Sequence, residues 1–167
     1  MAGMKDVEGY GHKHKIGERC DICSGKMSVD DVKRWEEEKL EKCGFYVHGV
    51  VSREEGYINA HTHGFERTWS HRDFQIVLRL PDKVVMDVFW NFARKVKAGE
   101  VFCDGMKVEE IVRGYPVLLS SAFECRRPVL RVLFPDAKGR FPGDPDVEAA
   151  FEHQNCVEQE EPPADLN

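Results

Sequence analysis

The chain has no apolar run approaching the ~20 residues a membrane-spanning helix requires, and its 167 residues contain no internal repeat. Met1–Lys15 is polar and rich in His and Lys, without the apolar centre of a secretory signal peptide. A cytoplasmic protein with no membrane partner is therefore expected. Basic charge is not in excess either: 24 Lys+Arg stand against 30 Asp+Glu, a net charge of −6. A large nucleic-acid footprint needs a concentrated basic face, so nucleic acid is not an expected partner. Only Lys13, Lys15 and Arg19 leave that option open. No Walker loop or dinucleotide-binding glycine pattern occurs. Ser120-Ser121 lacks the Gly-x-Ser-x-Gly setting of an elbow nucleophile.

Cysteine is present but mostly without pattern. Of the six, at positions 20, 23, 43, 103, 125 and 156, only Cys20 and Cys23 stand at a functional spacing. With no sign of export a disulfide framework is not expected, and the remaining thiols read as small core or surface groups.

What is there fits one compact domain: 41% hydrophobic and 32% charged residues. Such a length can bury roughly 68–70% of its unfolded surface. Residues 1–27 read as an irregular, glycine-broken head, residues 28–156 as a single α+β domain, and residues 157–167 as an acidic, disordered tail. Ser28 with Asp31 forms a capping-box pattern ahead of a helix that Gly44 ends. Phe45–Val51, Tyr57–His63 and Asp73–Leu80 read as strands, with a turn at Arg53–Gly56 and a loop over Gly64–His71. Pro81 opens a second helix whose Val85, Val88, Phe89, Phe92 and Val96 recur at helical spacing up to the stop at Gly99. Val108–Val112 reads as a turn of helix. Pro116–Phe123 and Pro128–Phe134 read as two strands joined by a turn at Glu124–Arg127, and Val147–His153 as a short helix. The fold expected is α+β, a mainly antiparallel sheet of about five strands carrying two principal helices.

Chemistry concentrates in the histidines. On a strand, alternation puts Asn59, His61 and His63 on one face. Two imidazoles at i and i+2 can converge on one ion, which generally takes three or four protein ligands. His71 and Asp73 follow, and His48 on the neighbouring strand is placed to lie across from the pair. The set His61, His63, His71 and Asp73 is the expected metal site, of a kind suited to zinc, iron or manganese. With one position left to water it would supply a hydroxide for hydrolysis. The competing reading is that these histidines bond backbone carbonyls or stack on Phe65, Trp69 and Phe74.

A second candidate lies in the head, where His12 and His14 precede Cys20 and Cys23. Together they can complete a tetrahedral zinc shell of two thiolates and two imidazoles, which would order a segment of little apolar content. Arg126, Arg127 and Arg131 are candidates for holding a phosphate or carboxylate.

Several segments carry a resemblance. Tyr57–Gly64, His71-x-Asp73-Phe74-Gln75-Ile76-Val77, Val96–Glu100, Gly114–Val117 and Phe134–Asp144 together resemble a bacterial domain-of-unknown-function family, number four-two-six-two, over about residues 20–154. The resemblance implies a small intracellular α+β protein and no activity. It also implies that the two histidines are a departure, because many relatives are similar to a Tyr-Thr-hydrophobic-Gly-Leu pattern over Asn59–Gly64. The function expected is a metal-containing ligand-binding or accessory protein, its partner a small molecule or another protein. The alternative is a metal-dependent hydrolase using His61, His63, His71 and Asp73.

Overall fold

A computed structural model describes residues 27–51 and 58–156 of the chain. Helix α1 (Val29–Cys43) opens on the expected capping box, with Ser28 Oγ accepting from the Asp31 N–H at 3.1 Å. It ends at Gly44, whose φ of +83° lets its N–H reach back to the Leu40 carbonyl. Then come β1 (Tyr46–Val51), β2 (Ile58–His63), α2 (Phe65–Trp69), β3 (Asp73–Ile76), α3 (Asp82–Lys97), β4 (Lys107–Val112), β5 (Tyr115–Glu124), β6 (Arg127–Leu133) and α4 (Ala149–Cys156).

The strands form one six-stranded sheet in the order β1-β2-β3-β6-β5-β4. Every neighbouring pair is antiparallel except β3 with β6, which is parallel. The α+β class is as expected, with one strand more than the sequence suggested. That strand is β4, where a helical turn was expected. Val108 and Ile111 are both buried, three residues apart, which mimics helical spacing. A register shift lies between Val108 and Val112, and Glu110 takes a φ of +63°. The bulge resets the alternation, so both apolar side chains reach the core from a strand.

The loop expected over Gly64–His71 holds α2. A five-residue helix has no readable periodicity, and its cap comes from afar: Gly64 has no side chain, so Asp73 Oδ1 accepts from the Phe65 N–H at 3.2 Å. Gly44 and Gly64 meet where α1 ends and α2 begins. A Cβ on Gly64 would stand 2.8 Å from the Gly44 carbonyl and collide with the Leu40 side chain.

One face of the sheet is apolar. Ala60, Ile76, Phe74, Leu130, Val132 and Leu119 project from it onto the buried stripe of α3, Val85, Val88, Phe89, Phe92 and Val96. Phe74 stacks on Phe92 with centroids 4.2 Å apart, and Phe102 meets both edge-on. Burying aromatic side chains of this kind contributes about 1.5–3 kcal/mol each.

Candidate metal centre

Directly paired residues share a face, so the register draws a line across the other side of the sheet. His48 on β1 pairs with His61 on β2, His61 with Gln75 on β3, Gln75 with Arg131 on β6, and Arg131 with Ser120 on β5. This line is polar, yet His61, Gln75 and Arg131 are each only 2% exposed. Buried polar groups need partners. Arg131 Nε donates to Gln75 Oε1 at 2.9 Å, and Gln75 Nε2 donates to Asn59 Oδ1 at 3.0 Å. Asn59 Oδ1 also faces His61 Nδ1 at 3.3 Å. At the far end Arg131 Nη1 donates to the Gln154 carbonyl of α4, while the Gln154 side chain bonds both the N–H and the carbonyl of Phe134. Burial pushes the Arg131 guanidinium below its ordinary pKa.

At the near end three histidines converge. One ligand atom each from His48, His61 and His63 lies within 4.8 Å of the others. The ring centroids stand 5.2 Å apart for His48 and His61 and 4.9 Å for His61 and His63. Tyr46 stacks on His63 at 4.9 Å and is itself met edge-on by Trp35 of α1, which sets the ring plane.

The tip of the β5–β6 hairpin is the neighbouring wall. Cys125 and Arg126 take φ values of +48° and +63°, the pair of left-handed residues that a tight two-residue hairpin requires. Glu124 therefore pairs with Arg127. Glu124 is 6% exposed, with Oε1 3.4 Å from His61 Nε2. That oxygen also accepts from the Cys125 thiol at 2.9 Å. Its other oxygen, Oε2, makes no hydrogen bond among the described residues and lies 3.5 Å from Arg127 Nη2.

Of the expected ligands, His61 and His63 come together, and His48 joins them. His71 does not. It precedes β3 and packs on the apolar side, stacked on Phe74 and close to Phe65 and Phe102. Its Nδ1 lies 2.7 Å from the Arg72 carbonyl and its Nε2 3.0 Å from the Phe102 N–H. Both nitrogens are engaged, as the competing reading of the histidines has it. Asp73 is engaged too: Oδ1 accepts from Thr62 Oγ1 at 2.8 Å as well as from Phe65, and Oδ2 from Arg127 Nη1 at 2.6 Å. Burial pushes its carboxyl above the ordinary range, more than Arg127 and these donors pull it down. Asp73 thus holds α2 and Arg127, and Arg127 in turn reaches Glu124 and the Thr62 carbonyl. Arg127 and Arg131, candidates for a phosphate or carboxylate, donate within the fold, Arg127 to Asp73 and the Thr62 carbonyl and Arg131 to Gln75 and the Gln154 carbonyl. His12, His14, Cys20 and Cys23 lie outside the described residues.

These features define the class: an α+β protein with a six-stranded, mostly antiparallel sheet and a cluster of three histidines on its polar face. The chain belongs to the family described as Domain of unknown function (DUF4262), whose family model matches residues 39–148. The match takes in all six strands and the three histidines, and is shorter at both ends than the resemblance read from the sequence. Comparisons with curated proteins and with solved structures each found no match. No helix among the described residues is long and apolar enough to cross a membrane.

Proposed function

We propose that this chain is a divalent-metal-binding protein with a binding or accessory role, its ion held by His48, His61 and His63. The observation that carries this reading is the convergence of three imidazole donors within 4.8 Å on two paired strands. Imidazole is the commonest protein ligand to transition metals, and three such nitrogens suit zinc. The donor set is also supported from behind: Asn59 faces the second nitrogen of His61, and Tyr46 stacks on His63. Partners of this kind orient ligands and raise affinity. A hydrolase drawing on His71 and Asp73 has less support, since both side chains are already bonded within the fold. The free thiols of Cys43 and Cys103 agree with a reducing, cytoplasmic setting.

Titration with Co2+ tests the reading, in a Cys20→Ser/Cys23→Ser background so that thiolate sites in the head do not contribute. The parent should develop saturable visible absorption at one equivalent, and His48→Ala, His61→Ala and His63→Ala should each abolish it. Unchanged titrations in all three variants would remove the proposal.

A further inference from the structure

We infer that Glu124 is the fourth protein ligand of this centre, so that three imidazoles and one carboxylate close the ion's shell and tie the β5–β6 hairpin tip to β1 and β2. The inference rests on the metal-binding reading above and goes beyond it in composition and consequence.

Three observations carry it. The first is a distance. His61 Nε2 and Glu124 Oε1 stand 3.4 Å apart, and both side chains are almost fully buried. A charge-assisted N–H···O bond between such groups would close to about 2.7–2.9 Å. Two donors each about 2.1 Å from one tetrahedral ion stand about 3.4 Å apart. The second is orientation. Asn59 Oδ1 receives the Gln75 amide and faces His61 Nδ1, so the N–H of a neutral His61 belongs on Nδ1 and the lone pair on Nε2. A carboxylate oxygen stands 3.4 Å from that nitrogen, an arrangement a cation between them makes favourable. The third is Glu124 Oε2, buried and without a hydrogen bond among the described residues. A carboxylate left in this state costs stability unless a positive charge beside it compensates. Arg127, shared with Asp73, supplies part of that charge at 3.5 Å.

A shell of this composition selects zinc, manganese or ferrous iron over cuprous copper, which prefers sulfur. It also joins strands that lie apart in the sheet order, so the ion would act as a clasp across the polar face.

The experiment compares zinc affinity of the full-length chain with and without Glu124→Gln, both in the Cys20→Ser/Cys23→Ser background, by competition with a chromogenic chelator, alongside the thermal melting of each metal-free protein. Expected are metal-free melting temperatures close to one another and an affinity loss above 100-fold, beyond the 10–100-fold typical of outer-sphere partners. Equal affinities would overturn the inference and leave the three-histidine site standing. No zinc bound by the parent would overturn both. Should Glu124→Gln fail to fold, a crystal structure of the unmodified chain with zinc decides the matter. Glu124 Oε1 within about 2.2 Å of the ion supports the inference, and a separation beyond about 3 Å overturns it.

Discussion

Phe74 and Gln75 are neighbours on β3, and both are almost wholly buried, at 0% and 2% exposure. Phe74 looks toward α3 and stacks on Phe92, while Gln75 looks the other way into a chain of hydrogen bonds from Arg131 to His61. The two faces of one sheet are thus closed by different physics. The apolar face is held by area removed from water and by close packing, which is tolerant of partner identity and costly to hollow out. The polar face is held in large part by paired donors and acceptors such as Arg131, Gln75 and Asn59, each of which is expensive to orphan. Stability should therefore reside mainly on the first face and ligand specificity on the second.

The sharpest way to break that division is to carve the apolar side. Phe74→Ala should cost about 3–5 kcal/mol in urea denaturation, the range for a buried aromatic truncation. A loss below about 1 kcal/mol would mean the α3 face is not the main store of stability. Next in size is the effect of the ion. In the Cys20→Ser/Cys23→Ser background, zinc at a hundred times its dissociation constant should stabilise the parent by about 2.7 kcal/mol and do nothing for the His48→Ala/His63→Ala pair. Equal stabilisation of the two proteins would place the ion elsewhere. Gly64→Ala probes the seam between α1 and α2, where φ is +113° and a Cβ would press on the Gly44 carbonyl. It should cost more than about 1 kcal/mol, the scale of an incompatible backbone conformation, without changing zinc affinity.

The smallest effects concern two buried aspartates. Asp73 has its pKa raised by burial, so its contribution is complete below about pH 4 and declines as pH rises through the raised value. Asp136 is the opposite case. Arg140 and the N–H groups of Lys138, Arg140 and Glu148 hold its carboxyl far below the ordinary range. Its contribution is present above about pH 4 and is lost as pH falls. Stability relative to Asp73→Asn should therefore fall with rising pH, and stability relative to Asp136→Asn should rise with it. Slopes of the same sign in the two comparisons would refute this electrostatic assignment.

Much of the fold could be read locally, because the signals were local. Ser28, Asp31 and Gly44 mark the ends of α1 within their own turns, and the stripe from Val85 to Val96 repeats with the helix. The shared face of Asn59, His61 and His63 follows from alternation alone. What escaped depended on distant chain. The α2 cap comes from Asp73, β4 hides its alternation behind a bulge at Glu110, and His71 turns to the apolar side before β3 begins. Glu124 stands beside His61 although β5 lies three places from β2 in a sheet ordered β1-β2-β3-β6-β5-β4, and nothing near either residue states that order.

The most direct test of the central claim is the zinc content of the purified full chain beside that of the His48→Ala/His63→Ala variant at matched protein concentration. The account predicts one equivalent fewer in the variant, whatever the head residues hold. Equal zinc in the two proteins would contradict it.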